Sequence, residues 1–326
     1  MTAPKARLME KVKGDLDAIE AALRANLAPN LGLVTEVAGH LLFAGGKRFR
    51  PLLMVLSARI SGYRGTEDKT FSTAFEYLHA ATLLHDDVVD GALLRRANPV
   101  AHRIWGIPTT VLVGDFLLAR ALAVGARTGK LEAIAVLADI TGRMVQGEIE
   151  QLTRKGDPDL TEDAYLDIIT NKTAVLIQGA CRVGAIIAGA PADRQQALGD
   201  FGFHLGMAFQ MIDDLLDYNA STAALGKATG ADLKEAKLTL PLIHLLQWAS
   251  SAERGIILDL MGKPDLTDEQ IAAVAAMMEA HGSLAHVAER ANDHVAKAKS
   301  ALRHFGPSPT RQLLLEVADY VVTRRH

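Results

Sequence analysis

Two short acidic runs contain the residues of this sequence best suited to chemistry. The first places Asp86, Asp87 and Asp90 among Leu and Val residues within 83–90. Residues four apart share one face of a helix, so Asp86 and Asp90 point the same way with Asp87 beside them. Like charges this close repel one another unless a cation lies between them, and a metal ion is the simplest such cation.

The second run repeats the pattern with Asp213, Asp214 and Asp217 within residues 209–218. If the two helices face each other, one polyanionic ligand bridged by metal ions satisfies both runs. Carboxylates without a cysteine or a nearby histidine pair suit Mg²⁺, which shares its coordination shell with substrate phosphates. The implied ligand is a diphosphate.

The alternative for any single acidic run is a solvated helix face. Both runs here have apolar neighbours on either side, Leu and Val in the first and Met, Ile and Leu in the second. Unpaired carboxylates in such surroundings are costly, so a ligand-binding role is favoured for the pair.

Composition excludes several classes of protein. The chain has 326 residues, is 49% hydrophobic and carries a net charge of −3, whereas nucleic-acid binding normally needs a clear basic excess. A single cysteine, Cys181, excludes an intramolecular disulfide and fits a reducing compartment, with a small core residue as its simplest role. No nucleic-acid partner is expected.

No targeting or membrane-spanning segment is expected, and the predicted location is cytoplasmic. Residues 1–27 alternate charged and apolar residues and contain no apolar run of signal-peptide type. The apolar stretch 109–126 is interrupted by Asp115 and Arg120, and 179–191 is short and contains Arg182.

Helical periodicity dominates the chain, which predicts an all-α fold of roughly ten or more helices. Only Val111, Leu112 and Val113 have strand character, and residues 267–270 have the form of a capping box. No break resembles an interdomain linker. We therefore expect one helical domain over 1–326, in which 1–30 is an N-terminal packing or dimerisation helix and the two acidic helices line a shared interior cavity.

A basic loop precedes the first acidic run. Residues 45–51 combine two glycines with Lys47, Arg48, Arg50 and Pro51. Pro51 suits the first position of a helix, where backbone amides and the helix dipole favour an anion. The loop lacks the spacing of a Walker motif, and its alternative is a solvated basic turn.

Further cations follow both acidic runs. Guanidinium groups pair bidentately with phosphate, so Arg95 and Arg96 suit diphosphate binding. Three lysines further along the chain are additional candidates, although a single lysine is more often a surface residue. His79 lies about two turns before Asp86, where a cavity role and a core role both remain open. A di-iron pair with Glu76 is excluded because no second pair exists. Two cation sets and two acidic runs predict two anionic substrates, one metal-bound and one metal-free. The additional lysines are Lys172, Lys227 and Lys237.

With these motifs in this order, the chain from about Gly45 onward resembles the trans-isoprenyl diphosphate synthases, and within them the long-chain, octaprenyl diphosphate synthase-like branch. The resemblance implies an all-α homodimer with a deep cavity in each subunit. It also implies a prenyltransferase that condenses isopentenyl diphosphate with an allylic diphosphate, here farnesyl diphosphate, using about three Mg²⁺ ions.

The resemblance assigns roles to individual residues. The residues that match the metal ligands of the family are Asp86, Asp90, Asp213 and Asp217. Other residues match family positions that bind the allylic diphosphate or surround its reacting carbons, namely Asp87, Arg95, Lys172, Thr173, Gln210, Lys227 and Lys237. The isopentenyl diphosphate site is matched by Lys47, Arg50, His79 and Arg96.

Product length is expected to depend on what blocks the cavity beneath the first run. Ala81 and Thr82 are small where short-chain relatives carry an aromatic plug, and Tyr77 lies one further turn along the Ala81 face. We expect octaprenyl to decaprenyl products, and residues 117–121 are expected to help set the length at which elongation stops. A small residue at position 81 would also be expected if Ala81 had only a core-packing role.

The sequence also departs from its relatives. Residues 91–94 are apolar where acidic and polar residues are usual, and Ala97 and Ala236 replace common glycines. The apolar loop suggests altered closure, or contact with a partner or with a membrane during product release. Alternative functions are a geranylgeranyl synthase and a non-catalytic subunit of a heteromer. Terpene cyclases leave Lys47, Arg50 and Arg96 unexplained, and squalene-type synthases space their acids differently.

Overall fold

The computed structural model describes residues 3–27, 31–95, 98–218 and 230–323, and these residues are mostly helical. One π-helical turn, Thr170–Ala174, and one 3₁₀ turn, Leu302–His304, interrupt the α-helices of this described part. The helices are α1 (Ala3–Leu27), α2 (Gly32–Leu42), α3 (Phe49–Ile60), α4 (Asp68–Val89), α5 (Ala101–Trp105), α6 (Ile107–Ala126), α7 (Leu131–Thr153), α8 (Glu162–Ile169), α9 (Val175–Ile187), α10 (Ala192–Asp217), α11 (Ala231–Lys234), α12 (Leu240–Trp248), α13 (Ser251–Leu260), α14 (Asp268–Ala280), α15 (Ser283–Ala301) and α16 (Pro309–Thr323).

Residues 111–113, which have strand character in the sequence, lie inside helix α6, as the helical pattern of the residues through Ala126 predicts. In the described residues the strands are β1 (Leu94–Arg95) and β2 (Asn98–Pro99), an antiparallel pair that follows the first acidic run. Branched side chains over three residues give only a weak strand preference, and the surrounding 20-residue helix overrides it.

Two compact units make up the chain. The first comprises Met1–Thr141, Gly179–Gly199 and Phe305–Leu314, and the second comprises Gly142–Gln178, Asp200–His304 and Leu315–His326. The single domain predicted over 1–326 stays a prediction.

The first unit is built around helix α4, which carries the first acidic run. Helices α1, α3 and α6 pack against it. Tyr77 of α4 is fully buried and donates a hydrogen bond to the carbonyl of Leu23 in α1. Helices α4 and α6 cross so closely that a Cβ atom on Gly114 would lie 2.2 Å from Nε2 of His85. Packing on several sides therefore fixes the helix that presents the first aspartates.

The N-terminal helix is a packing element of this unit. Ile19, Leu23 and Leu27 of α1 are almost completely buried. On the same helix, Asn26 accepts a hydrogen bond at its carbonyl from the guanidinium of Arg120 in α6. Helix α1 thus packs within its unit, and the choice between packing and dimerisation for residues 1–30 stays a prediction.

The second unit carries the second acidic run at the end of helix α10. Helix α12 packs against α8, α14 and α15. Phe201 and Tyr218 are among the largest buried side chains of the second unit. The predicted capping box is confirmed, because the Thr267 hydroxyl accepts from the Gln270 amide while the Gln270 side chain accepts from the Thr267 amide.

Helix α6 is long and apolar enough to cross a membrane by length and composition, with 33% of its most apolar window buried. Asp115 and Arg120 lie within it. Helices in the core of proteins without membrane spans pass the same test of length and hydropathy.

Candidate active site

The three aspartates of the first run occupy different environments at the end of helix α4. Asp86 is partly exposed, Asp90 is exposed at the helix C-cap, and Asp87 is 2% exposed. Asp86 and Asp90 lie one turn apart and are joined through their backbones, since the Asp90 amide donates to the Asp86 carbonyl over 2.8 Å. The two outer carboxylates are accessible, and the middle one is not.

Asp87 holds the predicted diphosphate ligand Arg95. The Arg95 Nε atom donates to Oδ1 and Oδ2 of Asp87 at 2.9 and 3.1 Å, and Nη2 lies 2.8 Å from Oδ1. This geometry is a charge-assisted, forked pair, which fixes the guanidinium more firmly than a single bond would. Arg96 lies outside the described residues.

The antiparallel strands β1 and β2, which we call the hairpin, carry Arg95. They have a second anchor, which sequence reasoning missed. Nε2 of His40 lies 2.8 Å from the Pro99 carbonyl, and the His40 ring packs edge-on against Trp105. Helix α2 therefore contacts both the hairpin and the short helix after it. No local sequence signal reveals a contact between residues so far apart in the chain.

The basic loop is anchored by Arg48. Its backbone is left-handed, with φ of 46°, and its side chain is buried. The guanidinium pairs with Glu76 over 2.8 Å and with Glu20 over 2.9 Å. Glu76 lies one turn before His79 on helix α4, so the pair brings the loop to the segment that carries His79.

Arg48 thus has a structural role, and its neighbours carry the predicted binding roles. Lys47 is exposed, and Arg50 and His79 are partly exposed. The expectation that Pro51 begins the helix is wrong, because helix α3 starts at Phe49 and Pro51 is its third residue. The loop still ends at a helix N-terminus, since Pro within the first turn removes only an amide that lacks an intrahelical partner.

The second run has the same division between outer and middle aspartates. Asp213 and Asp217 are partly exposed, whereas Asp214 is 4% exposed. Burial, with a smaller contribution from the nearby Asp232 carboxylate, raises the pKa of Asp214 to about 7. The Asp217 carboxylate accepts from the backbone amides of Ala231 and Asp232 at 3.2 and 3.0 Å and so anchors the start of helix α11.

Asp214 is the end point of a chain of hydrogen bonds. It accepts from the hydroxyl of Tyr165 over 2.6 Å and from Nε2 of Gln210 over 2.7 Å. The Gln210 carbonyl oxygen accepts in turn from the hydroxyl of Thr173 over 2.8 Å. The structure therefore brings together Thr173 and Gln210, both predicted to surround the reacting carbons, and adds Tyr165, which sequence reasoning did not select.

Lys172 lies on the π-helical turn between α8 and α9. Its ammonium group contacts the Glu148 carboxylate at 2.6 Å and the Gln151 amide oxygen at 2.7 Å, both on helix α7. A Cβ atom on Gly147 would lie 2.7 Å from the Lys172 backbone nitrogen, so this glycine permits the close approach. Inserted π-turns often occur at functional sites, because they redirect side chains within a helix.

Lys237 lies on a tight turn in the second unit. Its ammonium group is 3.6 Å from Asp232. Burial raises the pKa of the Asp232 carboxyl to about 6, and the Asp232 charge opposes the effect of burial and raises the pKa of Lys237. Ala236 before it has φ of 54°, a left-handed conformation that favours glycine. Lys227 lies outside the described residues.

The family model for polyprenyl synthetase matches residues 32–278 of the chain. This chain belongs to the polyprenyl synthetase family. The basic loop, both acidic runs and the π-turn all lie within the matched residues. As a member of this family the protein is a trans-prenyltransferase, and its fold is the all-α isoprenoid synthase fold, as predicted.

Individual relatives match over nearly the whole chain. The octaprenyl diphosphate synthase of Haemophilus influenzae is 37% identical over 315 residues, which cover 96% of this chain and 94% of the relative. A decaprenyl diphosphate synthase from Rhodobacter capsulatus superimposes with a TM-score of 0.91 at 40% identity, covering 98% of this chain and 99% of that one.

A polyprenyl synthase from Caulobacter crescentus CB15, solved in complex with calcium and isoprenyl diphosphate, also has a TM-score of 0.91 at 38% identity, with 98% of both chains covered.

The donors present fit the Mg²⁺ on which polyprenyl synthetases depend. Among the described residues, no group of three or more His, Cys, Asp and Glu side chains is close enough to hold an ion unaided. Mg²⁺ is typically bound by one or two carboxylates and completes its shell with water and substrate phosphates. Pairs of accessible carboxylates one turn apart, such as Asp86 and Asp90, match that requirement.

The residues expected to set product length in this polyprenyl synthetase lie along helix α4 below Asp86. Ala81 is 3% exposed, and Thr82 is partly exposed and donates to the His79 carbonyl. Tyr77 is fully buried, and burial raises its pKa. In the helix packed against α4, Leu117 and Ala121 are also fully buried.

Proposed function

We propose that this enzyme condenses isopentenyl diphosphate with an allylic diphosphate, farnesyl diphosphate in the first cycle, to form a long-chain all-trans polyprenyl diphosphate. The observation that carries the proposal is the shared division of both acidic runs. In each run the outer carboxylates are accessible while the middle one is buried and bonded to a neighbouring group that has a predicted substrate role.

The outer carboxylates Asp86, Asp90, Asp213 and Asp217 are the proposed Mg²⁺ ligands, with about three ions bound alongside the substrate. When bound, these ions neutralise the charge that develops on the departing diphosphate. The calcium and isoprenyl diphosphate in the Caulobacter crescentus relative support an assignment of divalent cation and diphosphate to this family.

Cationic side chains grip the allylic diphosphate from the protein side. Arg95 and Lys172 have this role together with Lys227. Arg95 is paired with Asp87 and Lys172 with Glu148, so an acidic partner holds each cation in place. Preorganised charges need little rearrangement when the C–O bond breaks, which is where electrostatic catalysis is most effective.

Isopentenyl diphosphate binds without metal at the basic loop. Lys47, Arg50 and His79 supply its contacts, together with Arg96. The Arg48–Glu76 pair supports this assignment, because it ties the loop to helix α4 one turn from His79. The double bond of isopentenyl diphosphate attacks the allylic carbon as diphosphate leaves, and the departing diphosphate takes the proton lost from the new prenyl unit. Thr173, Gln210 and Lys237 surround the reacting carbons, where water must be excluded because it would trap the cation.

Product length in the octaprenyl to decaprenyl range follows from the small side chains at Ala81 and Thr82. A growing chain directed along helix α4 passes these positions, and Tyr77 stands about one turn further, ~5 Å along the axis. The buried Leu117 and Ala121 of the adjoining helix contribute to the stop.

A homodimer is proposed from the exposed apolar stripe on helix α7. Val145, Ile149 and Leu152 recur at helical spacing and are 53%, 55% and 44% exposed. Apolar stripes of this kind are normally covered by another chain. Equilibrium sedimentation of the purified protein is expected to give a dimer, and a monomer at micromolar concentration would contradict this assignment.

Two exposed leucines at the start of strand β1 are consistent with a cytoplasmic enzyme that touches the membrane only to release product. Leu93 and Leu94 are 62% and 63% exposed. Exposed leucines can enter the interface of a bilayer without a spanning segment.

Turnover of labelled isopentenyl diphosphate tests the reaction. Purified protein with farnesyl diphosphate should form extractable labelled product with Mg²⁺ and none with chelator, and Asp86→Ala and Asp213→Ala should each lose most of this activity. A folded wild-type protein that forms no product with Mg²⁺ would contradict a self-sufficient synthase and indicate a subunit that needs a partner.

A further inference from the structure

The chain of hydrogen bonds that ends on Asp214 has a fixed direction. The Tyr165 hydroxyl donates to Oδ2 of Asp214, and the Gln210 amide nitrogen donates to Oδ1. Burial raises the pKa of the Asp214 carboxyl, and these two donors oppose that rise because they bond to its ionised form, which only accepts hydrogen bonds. Since Nε2 of Gln210 faces Asp214, its carbonyl oxygen faces Thr173 and accepts the only proton of that hydroxyl. Every proton in the chain is therefore directed along it toward Asp214.

The direction of these hydrogen bonds determines which atoms Thr173 and Gln210, both predicted to surround the reacting carbons, can present to a substrate. The Thr173 oxygen retains lone pairs, and the Gln210 carbonyl oxygen retains one after accepting from Thr173. If the amide were rotated by half a turn, its oxygen would face a carboxylate oxygen of Asp214, acceptor against acceptor. The buried carboxylate thereby excludes the orientation in which Gln210 would present N–H groups in place of its oxygen.

The elements that supply the chain explain why it is rigid. Tyr165 and Thr173 lie on one continuous segment, helix α8 and the π-turn, while Gln210 and Asp214 are one turn apart on helix α10. Tyr165 is 2% exposed and Asp214 is 4% exposed, so water does not compete for the bonds between them. Two of the three hydrogen bonds therefore join the two elements, and the third, between Gln210 and Asp214, lies within helix α10.

We propose that Asp214 and Tyr165 are positioning residues that orient Gln210 and Thr173 so that only oxygen lone pairs face the allylic carbons. This inference rests on the proposed function. Positive charge develops on those carbons as diphosphate departs, and oxygen dipoles that are already oriented stabilise that charge without reorganisation. Donor groups at the same place would instead attract water or the diphosphate.

Four variants test the proposal in the turnover assay. Asp214→Asn keeps a carbonyl oxygen for the Gln210 amide, whereas Asp214→Leu keeps the approximate volume and removes every acceptor. Tyr165→Phe removes the second donor to Asp214. Tyr218→Phe is the matched control, because it deletes another buried tyrosine hydroxyl of the second unit that is no part of the chain.

The expected result separates kcat from substrate binding. Asp214→Leu should lower kcat about 10- to 100-fold, as for other residues that orient a reactive group, while KM for farnesyl diphosphate and the Mg²⁺ concentration for half-maximal rate stay within about twofold. Asp214→Asn should keep most of the wild-type kcat, and Tyr165→Phe should lose less kcat than Asp214→Leu. Tyr218→Phe should have the wild-type kcat.

Other outcomes would overturn the proposal. An equal loss in Asp214→Asn and Asp214→Leu with a raised Mg²⁺ requirement would make Asp214 a metal ligand, and a raised KM with unchanged kcat would make it a binding residue. If Asp214→Leu fails to fold, Asp214→Asn and Tyr165→Phe still decide, since wild-type kcat in Tyr165→Phe contradicts the chain. An inactive wild type would overturn the proposed function itself, whereas an active wild type with unaffected variants overturns only this inference.

Discussion

Asp86 and Asp87 are chemically identical neighbours with different environments. Asp86 is partly exposed, whereas Asp87 is buried with both carboxylate oxygens on Arg95. A carboxylate engaged in this way has little capacity left for a metal ion. The two aspartates should therefore affect the reaction in different ways, the first through the metal and the second through Arg95.

We predict that Asp86→Asn lowers kcat on the order of 10²- to 10³-fold and raises the Mg²⁺ concentration for half-maximal rate. Asp87→Asn removes the charge but keeps an acceptor for Arg95, so its loss should be about 10-fold with an unchanged Mg²⁺ requirement. Rates measured over a range of Mg²⁺ concentrations distinguish the two. Equal shifts in Mg²⁺ requirement would contradict the division between outer and middle aspartates.

Ala236 is a local source of strain beside Lys237. Its φ of 54° is unfavourable for a residue with a Cβ atom, by roughly 1 kcal/mol or more. Ala236→Gly should therefore raise the free energy of unfolding by about 0.5–1 kcal/mol, measured by urea denaturation. Ala249→Gly, at an ordinary extended backbone conformation, is the control and should lose stability. A loss of similar size at both positions would show that Ala236 is unstrained.

The π-turn that presents Lys172 depends on its contact with helix α7. Gly147→Ala would force a Cβ atom to within 2.7 Å of the Lys172 backbone nitrogen, so the turn must move. Because displacements near 1 Å at a catalytic group are costly, we expect kcat to fall about 10- to 100-fold. Gly142→Ala on the same helix has no atom within 4 Å and should keep wild-type kcat. Wild-type kcat in Gly147→Ala would show that the turn tolerates displacement.

The helices and motifs were predictable, but their partners were not. Apolar periodicity and breaks at Gly and Pro locate helices, because those signals are local. The spacing of the aspartates identifies the motifs for the same reason. The pairing of Arg48 with Glu76, and of Tyr165 with Asp214, joins residues 28 and 49 positions apart, which no periodicity encodes. The π-turn at Thr170–Ala174 was missed because its sequence is compatible with an ordinary α-helix.

Stability of the folded chain should fall in mild acid because of a histidine pair in the second unit, in which His294 is buried and His204 is partly buried. Nδ1 of His204 and Nδ1 of His294 are 3.0 Å apart, which requires one of the two nitrogens to be unprotonated. Burial, together with the neighbouring His204, lowers the pKa of His294 to about 4, below the 6.5 of the unfolded chain. The unfolded state binds more protons between these values, so stability is complete above about pH 6.5 and declines as pH falls toward 4.

We expect the free energy of unfolding to be on the order of 1 kcal/mol lower at pH 5 than at pH 7 through this pair. His294→Phe removes the titrating group and should flatten this part of the profile, although it lowers stability at pH 7. Urea denaturation at the two pH values provides the measurement. An unchanged slope in the variant would assign the acid sensitivity to other groups.

The size of the product tests the central claim most directly, because it depends on the metal-binding motifs, both substrate sites and the course of the growing chain together. The measurement is mass spectrometry of the prenyl diphosphates formed from farnesyl diphosphate and excess isopentenyl diphosphate with Mg²⁺, for wild type and for Ala81→Phe. We predict octaprenyl to decaprenyl products for wild type and shorter products for the variant. Geranylgeranyl diphosphate as the wild-type product, or an unchanged product length in Ala81→Phe, would contradict the proposed path of the chain along helix α4.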